Sequence, residues 1–433
     1  KSLVLGLTNP VHFIALIVVT MICGLVAGSY PAFYLSSFNP VSVLKGLKMK
    51  GGGAAITRKG LVVLQFSISI ILIVSTIVIY LQIQHVKDRS LGFNKNNLLQ
   101  VDMNSEMTKN YAAVKQDLLN TGDIDDIALS NYNTLYSGNN TGSLVWDGME
   151  NINSILISLR YVSPGFMKTS GIKILEGRDF VETDSVTSKR INVVISQSLE
   201  KLMGKGTAVG KTLHWSGDTS GTVLNVVGIV NNYVYGNMYG KPDPVIFFCI
   251  NTPAASNMYV RLKPGTDVNA AIKQMSVVLR KDNPFYPFTY HFVDDQFNRM
   301  FQNEQLISEL SRVFAALAIL ISCIGLFGLA AYTAERRTKE IGVRKVLGAS
   351  VADITTLLSK DFLQLVFISC IVAFPMAWLL MHHWLQNYQY RIQISWWIFL
   401  LAGTLAIFIA LITVSFQAIK AAIANPVESL RTE

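Results

Sequence analysis

Hydrophobic positions fall into five uncharged runs: Val11–Leu35, Leu61–Leu81, Val313–Ala334, Phe362–Leu380 and Trp396–Phe416. A helix needs ~20 apolar residues to cross about 30 Å of hydrocarbon. Runs of this length rarely share one soluble core, so the pattern predicts a membrane α-helical bundle of five spans. The second run continues to Arg89 with no Pro or Gly, and such a helix reaches about 43 Å, longer than the hydrocarbon is thick. Phe301–Arg312 leads into the third run in the same way. Two stalk helices carrying an outer domain are expected, with tilted, frayed spans as the plain alternative.

Between the stalks, residues 92–302 change to short β-like runs, amphipathic patches and turn signals. Ile191–Ile195 and Val223–Val230 read as strands, and Tyr111–Leu119 and Val268–Arg280 as helices. Ser137–Gly142, Ser216–Gly221 and Asn251–Asn257 read as loops. The expectation is a large α+β extracytoplasmic domain of two subdomains, the second inserted at about 161–248. The predicted organisation is a leading span (1–35), a cytoplasmic linker (36–60), span and stalk (61–91), the outer domain, stalk and span (303–334), an inner loop (335–361), two further spans (362–385 and 396–419) and a cytoplasmic tail (420–433).

Charge sets the direction. The chain is 51% hydrophobic and only 15% charged, with a formal charge of +9. Val86–Arg312 holds 22 Lys/Arg and 22 Asp/Glu, whereas the rest holds 15 against 6, so the whole excess lies among the apolar runs. That placement argues against nucleic acid and fits the positive-inside bias of membrane proteins. Lys45, Lys48, Lys50, Arg58 and Lys59 mark one inner loop, and Arg336, Arg337, Lys339, Arg344, Lys345 and Lys360 another. Trp384, Tyr388, Tyr390, Trp396 and Trp397 cluster at the outer hairpin, where an aromatic belt belongs. Gly24 and Gly28 on span one, and Gly325 and Gly328 on span three, are candidate sites of close helix packing. Pro375 is expected to kink span four. No Asp, Glu, Lys or Arg lies mid-span, which disfavours an ion-coupled exporter.

Asn39-Pro-Val-Ser-Val-Leu-Lys45 recurs as Asn425-Pro-Val-Glu-Ser-Leu-Arg431, each after an inward-running span. Two unrelated Asn-Pro helix stops are the plain alternative. If the repeat is real, span one matches span five, and the chain is expected to be the second half of a longer, duplicated protein.

The outer domain offers little chemistry. Gly204-Lys-Gly-Thr-Ala-Val-Gly-Lys-Thr212 approaches a phosphate loop but has Lys205 where the pattern needs its first Gly, and reads as a turn between helix and strand. His85, His214 and His291 are scattered, and Asp123, Asp125 and Asp126 lack the rest of a calcium loop. Asp294-Asp295 reads as a solvated turn. Cys23, Cys249, Cys323 and Cys370 form no disulfide or zinc pattern, and Cys249 reads as a buried strand residue. No catalytic, cofactor or metal residue is expected.

The inner stretch Glu335-Arg-Arg-Thr-Lys-Glu-Ile-Gly-Val-Arg-Lys-Val-Leu-Gly-Ala-Ser350 is the most specific. Val343, Val346, Leu347 and Ile354 recur near helical spacing, and Ser350 with Asp353 forms a capping signal. Simple anchoring needs only Lys and Arg; the mixed signs suggest a protein partner instead.

This stretch resembles the signature of FtsX-like permeases of the MacB type in the ABC transporter superfamily. Tyr161-Val-Ser-Pro-Gly-Phe-Met-Lys168, Leu175-Glu-Gly-Arg-Asp-Phe180, Val209-Gly-Lys-Thr212, Val226-Val-Gly-Ile-Val230 and the Asn-Pro-Val tails are similar too. The resemblance implies a non-catalytic permease of the bacterial inner membrane with its large domain outside. It implies a separate cytoplasmic ATPase dimer that binds ATP and Mg, a second permease half or copy, and a periplasmic partner. It implies mechanotransmission, in which ATP-driven movement of the spans reshapes the outer domain. By the same resemblance, Glu335, Arg336, Lys339, Glu340, Ile341, Arg344, Lys345 and Leu347 would contact the ATPase. The rival reading is a membrane receptor or scaffold, including one that regulates cell-wall hydrolases.

Overall fold

The computed structural model describes residues 10–36, 52–149, 155–184, 189–250, 255–282, 284 and 287–423. The repeated Asn-Pro-Val segments and Lys45–Lys50 lie outside these residues. The chain divides into two units, residues 1–62 and 63–433. Two helices come first, α1 (Pro10–Ser36) and α2 (Gly52–Lys87). Side chains of α1 such as Phe13, Ile17 and Met21 are exposed. Helix α2 begins nine residues before the apolar run at Leu61, because Ala54 to Lys59 contain no breaker.

In chain order there follow β1 (Leu98–Asp102), α3 (Ser105–Lys109), α4 (Tyr111–Leu119), β2 (Ile124–Ser130), β3 (Asn140–Thr141), β4 (Leu144–Trp146) and β5 (Ile157–Val162). Next come α5 (Phe166–Ser170), β6 (Ile174–Gly177), β7 (Arg190–Ser196), α6 (Gln197–Leu202), β8 (Thr212–Trp215), β9 (Val223–Val230) and β10 (Val245–Cys249). The domain ends with β11 (Asn257–Leu262), α7 (Val268–Asp282), β12 (Tyr290–Phe292) and α8 (Val293–Arg299). The last helices are α9 (Gln302–Arg336), α10 (Thr338–Val346), α11 (Val351–Leu385) and α12 (Trp396–Ile423).

The strands form one mixed sheet in the order β12-β1-β11-β2-β5-β10-β7-β9-β8-β4, with β3 on β5 and β6 on β9. The pairs β5–β10 and β7–β9 are parallel, and the other pairs are antiparallel. Two lobes exist, but not as separate inserted bodies. The seam is β2 against β5, where Ser130 pairs with Val162, because Ile157 and Leu159 of β5 already pack with Ile246 and Phe248 of β10. The second lobe also recruits β4, which pairs with β8, so it begins before Tyr161. One lobe packs α4 and α7 on β1, β2 and β11 through Leu118, Ile127, Met258 and Met275. The other packs α6 among β7 to β10 through Val193, Leu199 and Ile246. Strands β10 and β11 are buried at every residue, because apolar layers cover both of their faces. The layer on the far side joins Phe166, Tyr233, Phe247, Tyr259, Phe297 and Phe301 to Val86 at the end of α2. Thus the core of the domain and the ends of two long helices are one packing unit.

The turn and loop readings differ in detail. Asp294 and Asp295 occupy the first turn of α8, where the helix dipole favours acids, rather than a free turn. Asn140 and Thr141, read as loop, form β3. Cys249 is fully buried in β10.

Four helices have described residues long and apolar enough to cross a membrane: α2 from Ile56, α9, α11, and α12 to Lys420. In α1 the described apolar stretch is Pro10–Leu25, and the helix itself runs on to Ser36. Polar side chains join the helices. Ser69 and Ser322 share a hydrogen bond of 3.0 Å, and Ser369 donates to the Val63 carbonyl at 3.1 Å. Of the four candidate packing glycines, only Gly325 meets a neighbouring helix: an added Cβ would collide with the Gln65 side chain. At Gly24, Gly28 and Gly328 it would meet nothing within 4 Å. Pro375 lies inside α11, which continues past it although the Ile371 carbonyl loses its helical donor.

One ion pair fixes the edge of the second lobe. Arg178 grips the buried Asp184 at 2.5 and 3.0 Å, while Asn192 and the Val181 amide also donate to it. The Arg178 guanidinium comes first among the causes that hold the Asp184 carboxyl down at about 2. A carboxylate lowered on folding stabilises above its unfolded value, near 3.8, and loses that contribution as pH falls towards 2. Asp184→Asn is therefore expected to lower the urea midpoint at pH 7 and to flatten its fall between pH 4 and 2. A variant retaining the wild-type acid slope would exclude this assignment.

Candidate functional site

Among the described residues no three His, Cys, Asp or Glu side chains come together in a group that could hold a metal. Lys211, in the stretch that approaches a phosphate loop, donates to the carbonyls of Met203 and Lys205 beside the end of α6. The turn reading accounts for it. The built features lie instead at the two ends of the helix bundle.

At the end nearest the sheet, the hairpin between α11 and α12 is clasped to the domain. Gln82, fully buried on α2, donates to the Tyr390 carbonyl at 2.9 Å and accepts from the Ile392 amide at 2.9 Å. Its amide takes the place of a backbone neighbour. Arg89 donates to the carbonyls of Met238 and Gly240 at 2.9 and 2.7 Å, and its guanidinium lies 4.4 Å from the Tyr390 ring centre. His85 stacks on the Tyr390 ring, with 4.5 Å between ring centres. The Tyr390 amide donates to the Tyr239 carbonyl, and the Lys241 amide to the Gln389 side chain. Tyr239 packs on both Tyr388 and Phe301. Burial pushes the Tyr239 hydroxyl well above its ordinary range, with the charge of Glu304 the next cause, so it stays protonated.

This arrangement corrects part of the aromatic-belt reading. Trp396 and Trp397 are exposed as a belt requires. Trp384, Tyr388 and Tyr390 are half-buried against protein. An amphipathic ring satisfies either environment, so composition cannot separate them.

At the opposite end, α9 runs unbroken to Arg336 and a single residue separates it from α10. Arg337 reaches across to Asp361 on α11 at 2.9 Å. Ile341 is 6% exposed and packs with Ile354, Leu358 and Ala418. It faces the chain's own core, so it offers no surface to a partner; its apolar character closes the α10–α11 corner. Glu335, Arg336, Glu340 and Arg344 are exposed, and Lys345 is half-buried. Glu340 and Arg344 pair at 2.9 Å one turn apart, and Arg336 lies over the Tyr332 ring. Lys339 is helical, and its side chain lies outside the described part.

Leu347 caps α10 and is 81% exposed, beside the exposed Val343 and Val346. Gly348, at a φ of 90°, reverses the chain there, and the Ala349 amide bonds back to the Arg344 carbonyl. This six-to-one bond is the helix stop that favours glycine. Ser350 and Asp353 then form the expected reciprocal cap of α11. The result is a rigid corner that presents three apolar side chains and a charged helix face.

Family models match along most of this architecture. A MacB-like periplasmic core domain matches residues 60–278, and an FtsX-like permease C-terminal region matches residues 312–426. The chain belongs to the MacB/FtsX-type ABC transporter permeases. The chain is therefore an inner-membrane multi-pass protein with its sheet domain in the periplasm. The macrolide export ATP-binding/permease protein MacB of Chromobacterium violaceum is 24% identical over 220 residues, 49% of this chain and 32% of that protein. The uncharacterized ABC transporter permease YknZ of Bacillus subtilis is 23% identical over 285 residues, 63% of this chain and 69% of that one. The chain thus spans about a third of the MacB relative. The crystal structure of the periplasmic region of MacB from Actinobacillus actinomycetemcomitans aligns over 50% of this chain and 98% of its own, with a TM-score of 0.34 and 15% identity.

Proposed function

We propose that this permease transmits force between a separate cytoplasmic ATPase and its own periplasmic domain, for export or release of a substrate at the outer face. The observation that carries the proposal is helix α9, continuous from Gln302 beside the domain core to Arg336 at the cytoplasmic corner. Its 35 residues span about 52 Å, enough to cross the bilayer with no hinge. A push on α10 enters α9 across one residue and reaches Phe301, which lies in the core of the domain. The clasp at Tyr390 couples α11 and α12 to the same domain. In this reading the permease hydrolyses nothing, and ATP and Mg are held by the partner. A second permease half or copy completes the membrane unit, and a periplasmic partner receives the movement.

The contact assigned to the ATPase comprises Leu347, Val343 and Val346, flanked by Glu335, Arg336, Lys339, Glu340, Arg344 and Lys345. Purification of the full-length protein in mild detergent is expected to bring an ATPase with it. Leu347→Asp is expected to abolish that association. Exchanging Glu340 and Arg344 keeps their mutual pair but inverts the field, and is expected to weaken association at least tenfold. Association unchanged in both variants would return the corner to a membrane-surface anchor and favour a receptor or scaffold.

A further inference from the structure

We propose that the groove between α11 and α12, in the cytoplasmic half of the bundle, binds an anionic phospholipid of the inner leaflet. The groove holds about 890 Å³ and opens sideways from the two helices. Its cytoplasmic end is lined by Ser359, Lys360, Thr356 and Gln364. Further along the bundle the walls are Phe367, Ile407 and Leu411. Polar groups at one end and an apolar trough at the other match a headgroup and an acyl chain.

Ser359 is the observation that points to a ligand. Its side chain is buried, with the residue 6% exposed, and its hydroxyl finds no hydrogen-bond partner. Neighbouring hydroxyls on α11 are satisfied within the helix: Thr355 donates to Val351 and Ser369 to Leu365. Leaving a buried donor unused is costly, and a phosphate oxygen in the groove would satisfy it once the hydroxyl turns from its buried rotamer toward the groove that Ser359 lines. Lys360 supplies the charge. Among the described residues no carboxylate pairs with it, and the adjacent Asp361 is held by Arg337. Lys360 is also the last basic residue before the apolar run from Phe362, so its ammonium lies at headgroup depth. Basic pockets between spans on the cytoplasmic side suit anionic headgroups. A protein helix seated here would bring no charge to match Lys360 unless it carried an acid within its span, which is rare.

The inference is independent of the force-transmission reading. Delipidated full-length protein in maltoside detergent is titrated with phosphatidylglycerol or phosphatidylcholine of matched chains, and binding is read by native mass spectrometry. One phosphatidylglycerol is expected to bind more tightly than phosphatidylcholine. Lys360→Gln is expected to weaken phosphatidylglycerol about fivefold and erase the preference. Ser359→Ala is expected to weaken phosphatidylglycerol without altering thermal unfolding, and Lys420→Gln, outside the groove, to change nothing. Equal binding of both lipids, or indifference to Lys360→Gln, overturns the assignment. Lipid binding that vanishes as the protein dimerises would mean that a second copy fills the groove, and overturns it too.

Discussion

Arg89→Ala is expected to release the outer hairpin from the periplasmic domain and raise amide exchange in residues 387–392 and 236–241 by about a hundredfold. The size follows from what one side chain holds. Two hydrogen bonds from a guanidinium contribute about 1.5–3 kcal/mol each. Stacking on an aromatic ring adds about 0.5–2 kcal/mol. The contributions overlap, so about 3 kcal/mol is the reasonable total. Arg89 is half-buried, and burial lowers its guanidinium from the ordinary value, but it stays charged at every working pH. Arg89→Lys is expected to recover only part of the protection, because an ammonium cannot both fork to two carbonyls and stack. The domain and the bundle each keep their own cores, so far-UV circular dichroism should not change. Exchange rising evenly across the domain would mean that Arg89 is a fold residue rather than a clasp.

The second large effect lies beneath the stalk. Arg261, buried on β11, donates to the carbonyls of Thr169 at 2.9 Å and Asn94 at 2.7 Å, and to that of Asn96. It ties the chain leaving α2, and the end of α5, to the middle of the sheet. Arg261→Ala leaves three carbonyls short of a donor and opens space around them. A loss of about 3–5 kcal/mol is expected, comparable to breaking a buried ionic contact. For a domain of this size that is roughly a 10 °C fall in the unfolding temperature. Tyrosine and tryptophan fluorescence of the intact protein in detergent would read it. A fall under about 3 °C would show that water replaces the guanidinium without strain.

The spans were legible because hydrocarbon selects on length and charge, and both are written in the chain. Helix ends were less so. Residues Ala54–Lys59 are polar enough to resemble a linker, yet nothing in them breaks a helix. Strands β7 and β9 could be read from their β-branched runs, whereas the parallel pairing of β5 with β10 could not, because pairing across some 87 residues leaves no local signal. The motifs shared with the family turn out largely to be structural. In Leu175–Phe180, Gly177 adopts a φ of 75° against the Val227 backbone, Arg178 holds Asp184, and Phe180 enters the core. In Tyr161–Lys168, the Ser163 hydroxyl accepts from the Leu129 amide and Lys168 faces Asp126. At the cytoplasmic corner, helical spacing grouped Ile354 with Val343, Val346 and Leu347, but the turn at Gly348 sends Ile354 to the inside with Ile341. The clasp residues Gln82 and Arg89 gave no sequence signal, since a buried glutamine acquires its meaning only from the backbone it meets.

The unbroken sheet has a consequence for how this domain can be watched and varied. The strand order runs without a break from β12 to β4, so the two lobes share one hydrogen-bonded sheet. If the domain moves as the proposed function requires, a fluorophore on the β4–β8 rim, which ends the strand order, would report that movement. The same rim is where a new recognition loop could be grafted without interrupting the strand order.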